Sequence, residues 1–397
     1  MTTEQETTVE VHPVSFPPEI LARISPELSL QRHLSLGFRP SLRGFEEFRD
    51  VSVDSGTLSR YHQLQNAAST KEVSNDNHVL GSCVLREGDV YVVTKITGGI
   101  IEDITMSNDD VEDEEDAELL ELTEDHSDIT KYTSVYPVVE VERGRMGACT
   151  DEEMITSQRL YDTLQHAKIL PKAALKVNPG VRITNDDGTV EIIYPDSPNS
   201  DDVMSSFKVN KKWSYVLYAK VEVFGRTGPV FDMCWNSLMY ALKSVQLPKA
   251  FIDERATDLK MTVRTRGRNA IIRETYNLLC DPNDSVPIKL ANKNISFAST
   301  YGAIDLDPEA DIANLDQDED ENMVDDQVKT VLLADIEGEA EESSIKSNIS
   351  IVSSADGRFK QFSIVGGGAK ITPELLSKSI ALSKQRTSDL ASKLPAN

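Results

Sequence analysis

Between residues 17 and 37 the apolar positions fall at helical spacing, in two pieces. Pro17-Pro18-Glu19 opens the first piece. Ser25-Pro26-Glu27 restarts the helix with a capping residue, a proline in the first turn and an acid. Leu28, Leu30, Leu34 and Leu36 then supply an apolar stripe. Further on the period drops to two. Val79–Leu85 and Asp89–Thr97 predict a hairpin turning at Arg86-Glu87-Gly88, and Tyr136–Val141 predicts another strand. Thr150-Asp151-Glu152-Glu153 matches a capping box, in which hydroxyl and carboxylate each satisfy an orphan backbone N–H. The helix that follows is expected to bury Met154, Tyr161 and Leu164, flanked by Leu160 and Ala167, and to stop before Pro171.

A hairpin and a polar loop are expected over 178–210. Trp213–Phe224 then alternates, placing Trp213, Tyr215, Leu217, Ala219, Val221 and Val223 on one face and Lys220 and Glu222 on the other. Gly225-Arg226-Thr227-Gly228-Pro229 reads as a turn. The helix predicted over Val230–Val245 carries Cys234, Leu238, Ala241, Leu242 and Val245 on one side. Strands are predicted at Val328–Ala334, Ile345–Val352 and Phe359–Val365, and a final amphipathic helix over 373–391 behind the cap Thr372-Pro373-Glu374. Strands followed by a helix, twice over, imply an α+β fold with helices packed on one face of a sheet. Gly366-Gly367-Gly368 lies between strand and helix, as a phosphate loop would. It lacks the Gly-Lys-Ser/Thr ending, and a close-packed turn is the better reading.

Charge changes this picture more than composition does. The 397 residues carry a formal charge of −25, which argues against a polyanionic partner if the charge is spread evenly. It is not spread evenly. Asp109–Asp128 holds 12 acids and Asp305–Asp326 holds 11, neither with any Lys or Arg. Removing those 23 charges leaves the rest of the chain at −2. Such runs are expected to be solvated, disordered insertions in a folded scaffold, or else docking tails. The boundaries expected are a tail over 1–16 and one domain over 17–397, with acidic or polar insertions at about 103–131, 196–211 and 305–327. No apolar run reaches the length of a membrane span, and the first residues do not read as a secretory signal. Four well-separated cysteines, Cys83, Cys149, Cys234 and Cys280, suggest a reducing compartment. A soluble intracellular protein is expected.

Catalytic chemistry is harder to find. The six histidines are scattered without metal-ligand spacing, and there is no Gly-x-Ser-x-Gly elbow. No metal or cofactor is expected. The best polar candidates are Arg143 and Arg145 and the cluster Arg264, Arg266 and Arg268, interleaved with Gly and Thr. Guanidinium forks fit phosphate oxygens, so these residues are candidates for RNA contact. They could instead pair with the chain's own carboxylates or with a partner subunit.

Several segments together resemble the ribonuclease PH family: Arg39–Leu58, Gly81–Gly98, Trp213–Pro248 and Gly366–Thr372. The stretches ISPELSLQRHLSLGFRPSLR, VERGRMGACTDEEM, KKWSYVLYAK and AFIDERATDLKMTVRTRGR narrow the resemblance to the ring subunits of the eukaryotic RNA exosome, of a fungal type. The resemblance implies a ribonuclease PH-like fold and a place in a six-membered ring, with one tight heterodimer partner among the other ribonuclease PH-like subunits. It further implies S1/KH-type cap subunits, a separate hydrolytic exoribonuclease, and RNA threaded through the assembled channel, with no membrane partner. Work on ribosomal RNA precursors, small RNAs and messenger RNA in nucleus, nucleolus and cytoplasm would follow.

Departures from the family pattern bear on activity. Where much of the family reads Arg-x-Asp-Gly-Arg, this chain has Arg39-Pro40-Ser41-Leu42-Arg43. Active members bind inorganic phosphate with arginine around the start of the first long helix, which opens here with Asp151-Glu152-Glu153. Those acids oppose an anion where the helix dipole attracts one. Active members also carry an aspartate pair before the last helix. The region from Ala334 to Glu342, with Asp335 alone, instead resembles the pattern of non-catalytic ring members. A catalytically silent scaffold is therefore expected. The alternatives are an active phosphorolytic 3′–5′ exoribonuclease using Arg143, Arg145 and Asp335, or an adaptor that recruits basic proteins through its acidic runs.

Overall fold

The computed structural model describes residues 17–62, 77–103, 129–132, 135–144, 147–184, 188–195, 212–253, 258–261, 272–275, 278–307 and 329–394. In chain order the first elements are α1 (Pro18–Ile24), α2 (Pro26–Ser35), β1 (Val51–Ser55), β2 (Gly81–Glu87), β3 (Val90–Asp103), β4 (Val135–Val141) and α3 (Asp151–Ala167). Next come β5 (Lys176–Val177), β6 (Gly180–Thr184), β7 (Val190–Ile193), β8 (Lys212–Phe224), α4 (Phe231–Lys243) and β9 (Gln246–Asp253). They are followed by β10 (Asp258–Met261), β11 (Ile272–Thr275), β12 (Leu278–Pro287), β13 (Ser296–Asp305) and β14 (Thr330–Ala334). The chain ends with α5 (Gly338–Ser344), β15 (Ser347–Ser354), β16 (Phe359–Val365) and α6 (Pro373–Ser392).

Contacts divide the chain into two compact units. The larger comprises Arg49–Ser299, Ser350–Ser363 and Ile380–Asn397. Its main sheet runs β1-β2-β3-β8-β4, with β5 also on β8. β4 lies parallel to β8 and the other pairs are antiparallel. The alternation read from Trp213 to Val223 holds at every position, because all six named residues face the core and are buried. α4 is buried on almost every side. Its polar atoms find partners: the Trp235 indole donates to the Ser296 carbonyl at 2.8 Å and the Tyr240 hydroxyl to that of Leu390 at 2.7 Å. A second sheet runs β12-β9-β6-β7, and β10 and β11 form a separate antiparallel pair.

The smaller unit comprises Met1–Phe48, Thr300–Ile349 and Ile364–Ser379. Leu30 and Leu34 of α2 pack there with Ile304, Val331, Leu333, Ile336 and Ile345. The last four strands pair in the order β14-β13-β15-β16. The architecture is α+β, as the succession of periods predicts.

Four details differ from the sequence reading. The first hairpin turns at Gly88-Asp89, since Glu87 pairs with Val90 across the ladder. Ser25 makes no side-chain cap bond; it also ends α1, its N–H donating to the Leu21 carbonyl. Leu36 follows the last turn of α2 and is exposed. Met154 is 54 % exposed and Tyr161 only half-buried, because α3 turns Glu153, Thr156, Leu160, Thr163, Leu164 and Ala167 inward. The triglycine is a packed turn, with the Gly368 N–H donating to Ser347 Oγ at 3.0 Å and that hydroxyl donating to the Ala369 carbonyl at 2.9 Å. The polar loop at 196–211, the acidic run 109–128 and residues 308–326 of the second run lie outside the described residues.

Candidate anion site and its counter-ions

The first turn of a helix presents unpaired N–H groups and a partial positive charge. At the start of α3 both are answered from within the chain. The capping box forms: the Thr150 N–H donates to Glu153 Oε2 at 2.6 Å, and Thr150 Oγ1 accepts the Glu153 N–H at 3.5 Å. The Glu153 carboxylate accepts a second N–H, that of Val141 at the end of β4, through Oε1 at 2.9 Å. These backbone donors, Thr150 first, hold the Glu153 carboxyl below the usual carboxylate range against the opposing effect of burial.

Glu152 answers a different need. Its Oε1 accepts both Nε and Nη2 of Arg226, at 3.0 and 2.8 Å, and its Oε2 accepts Nη2 of Arg143 at 3.2 Å. Arg226 stands in the glycine-bounded turn after β8, where Gly225 has φ 67 and a Cβ would come within 2.7 Å of the Asp89 carbonyl. Arg143 follows β4. The ends of two neighbouring strands and the head of one helix thus converge on a single carboxylate. Two guanidinium groups at a helix N-terminus are a recipe for holding an anion, and the anion here is a side chain of the protein itself.

A second cluster lies within the smaller unit. Arg39 has no solvent exposure. Its Nε donates to Glu341 Oε1 at 2.8 Å and its Nη2 to Glu341 Oε2, while Nη1 and Nη2 reach the carbonyls of Ala334 (2.5 Å) and Asp335 (2.7 Å). Arg43 donates to the carboxylates of Asp335 at 3.0 Å and Glu337 at 2.7 Å. Both arginines of the Arg39–Arg43 motif are therefore spent on the turn that links β14 to α5. Asp335 adopts φ 52, a region that aspartate tolerates better than most residues.

Of the sequence-predicted residues, the structure places Arg143 beside Glu152; Arg145, Arg264, Arg266 and Arg268 lie outside the described residues. In the sequence Arg226 reads only as part of a turn, with nothing local to pair it with Glu152. The available signal was an arginine flanked by glycine near a helix that opens with three acids, but nothing local specifies which strand end meets which helix head. Along the same helix lies an open groove of about 500 Å³, lined in part by Tyr136, Val138, Met154 and Tyr161.

Residues 47–248, half of the chain, match the 3′ exoribonuclease (RNase PH) family, domain 1. The chain belongs to this family. Among curated proteins, this ribonuclease PH chain is similar to the exosome complex component rrp43 of Schizosaccharomyces pombe, with 23 % identity over 63 % of this chain and 68 % of that protein. Among solved structures it resembles a chain of the Archaeoglobus fulgidus exosome with RNA bound to the active site. The TM-score is 0.51 at 12 % identity, covering 93 % of this chain and 99 % of the other. An archaeal exosome core gives a TM-score of 0.47, also at 12 % identity, over 96 % of this chain and 99 % of that one. The family match and the likeness at TM-score 0.51 bear out the ribonuclease PH-like fold.

Proposed function

We propose that this ribonuclease PH chain is a non-catalytic ring subunit of an RNA exosome, which shapes a path for RNA cut from its 3′ end by an associated nuclease. The observation that carries this reading is the closure of Arg226 and Arg143 on Glu152. Phosphorolysis needs inorganic phosphate seated against free guanidinium donors, and here these donors already hold a carboxylate at the positively polarised end of α3. Asp335, the one aspartate available for acid chemistry in the second region, is paired with Arg43.

A role in assembly is supported by what the larger unit leaves uncovered. Tyr136 and Val138 on β4, Tyr218 on β8 and Met154 and Ile155 on α3 are each about half exposed or more. Tyr136 lies 5.9 Å, centroid to centroid, from both Tyr161 and Tyr218. Contiguous exposed apolar side chains of this kind mark a surface meant for a protein neighbour. In this reading the neighbours are other ribonuclease PH-like subunits, with S1/KH-type caps and a hydrolytic exoribonuclease in the same assembly. The RNA work is maturation of ribosomal RNA and turnover of messenger and small RNAs in nucleus, nucleolus and cytoplasm.

Two measurements test this. Tagged chain recovered from cells at moderate salt should bring other ribonuclease PH-like subunits with it in equal amounts; recovery alone would defeat the assignment. Purified chain incubated with RNA and inorganic phosphate should release no nucleoside diphosphate, and release above a buffer blank would make it an active phosphorolytic enzyme.

A further inference from the structure

The 3₁₀ turn Asn292–Asn294 gathers lysines from separate parts of the larger unit. Lys168, the left-handed residue (φ 55) that ends α3, offers its carbonyl to Asn294 Nδ2 at 2.9 Å. Lys360 on β16 donates Nζ to the same side chain, at Oδ1, at 2.7 Å. Lys243, the last residue of α4, donates to Asn292 Oδ1 at 3.2 Å, and Lys293 stands exposed in the middle of the turn. None of these four ammonium groups reaches a carboxylate among the described residues. Burial, together with the positive charges of Arg358 and Lys168, holds Lys360 below the usual lysine range, while Asp356 acts the other way.

Collecting like charges without a carboxylate in contact costs free energy, only partly offset here by Asp356, and in a chain of net charge −25 acids are not scarce. An arrangement that leaves them out is suited to an anion from elsewhere. The neighbouring side chains narrow its chemistry. Lys168 Nζ lies 5.9 Å from the centre of the half-buried Tyr132 ring. A cation set beside a partly accessible ring is suited to single-stranded nucleic acid, since a phosphate meets the cation and a base stacks on the ring. An acidic peptide would use the cations alone.

We propose that the basic surface around Asn292–Asn294 binds the phosphate backbone of single-stranded RNA, as a site separate from the Arg143–Arg226 cluster. The choice of RNA over other polyanions rests on membership of an exoribonuclease family; the site itself rests on the lysine geometry.

The test uses the full purified chain and a short fluorescent oligouridylate, with anisotropy followed from about 50 to about 200 mM salt. Lys293→Gln combined with Lys360→Gln should weaken binding several-fold at low salt. It should also flatten the slope of log affinity against log salt by about 0.7 for each phosphate that is no longer neutralised. Among the described residues the side chain of Lys293 makes no hydrogen bond or ion pair, so Lys293→Gln alone keeps the test valid if the double variant folds poorly. An unchanged affinity and slope would overturn the proposal. So would tighter binding of an oligoglutamate than of RNA of equal charge, which would make the surface a dock for an acidic protein segment. The same variants recovered from cells with their ring partners, but with RNA binding unaltered, would refute this surface and leave the ring assignment standing.

Discussion

Arg39 and Glu341 show what single residues decide. Arg39 has no exposure and Glu341 is 2 % exposed, so their charges depend on one another and on the two carbonyls that Arg39 also reaches. Removing one partner of a buried pair strands the other. Arg39→Ala should therefore cost about 3–5 kcal/mol in urea denaturation of the purified chain, and Arg39→Lys should recover little, since a lysine cannot grip both carboxylate oxygens. Glu153 yields a pH signature. Because its carboxyl is depressed in the folded chain, its contribution is full above the unfolded value of about 4.3 and is lost as pH falls through the lower folded value. Glu153→Gln, which turns an NH₂ toward one of its N–H partners, should lower stability by about 1–2 kcal/mol at neutral pH. The gap between variant and parent should close as the solution is acidified below about pH 4; a gap constant with pH would mean that the charge is irrelevant.

At the scale of elements, close approach is set by the smallest residues. A Cβ on Gly81 of β2 would stand 2.6 Å from Val245 Cγ2 and 2.9 Å from the Ala241 carbonyl. Backbone atoms of the segment ending α4 would have to retreat. Gly81→Ala should destabilise the larger unit by about 1–3 kcal/mol, seen as a lower urea midpoint with unchanged slope. Elements with one strong period were legible: β8 alternates over its whole length, and the capping box at Thr150 marks the head of α3. The face α3 buries was legible in part, since Leu160, Leu164 and Ala167 are buried as expected. Met154 is apolar enough for a core, yet it turns outward while Thr156 and Thr163 turn in. Side-chain type sets only a preference; the sheet beneath the helix sets the angle. The candidate site was half legible for a similar reason. Acids at the head of α3 stand next to each other in sequence, but their partner Arg226 is 74 residues away and is brought in by the pairing of β4 with β8.

For the molecule as a whole, charge is partitioned. Asp109–Asp128 and residues 308–326 carry 21 of the acidic charges, and a chain without them would have a net charge near −4. Such a chain should bind the oligouridylate more tightly at low ionic strength, and the gain should vanish at about 1 M salt, where the Debye length falls to about 3 Å. A gain that persists at high salt would mean that the runs act by direct touch and not through their field. The sequence by itself determined the α+β succession, the alternation of β8, the capped head of α3, the family and the segregation of negative charge, because each is written in neighbouring residues or in composition. The tertiary structure alone decided that Glu152 is the counter-ion of Arg226 and Arg143, that Arg39 is sealed against Glu341, and that Lys168, Lys243 and Lys360, from three separate stretches, meet the turn Asn292–Asn294. Those pairings join residues far apart in the chain, and electrostatic energy depends on distance in space, which only the packing of strands and helices fixes.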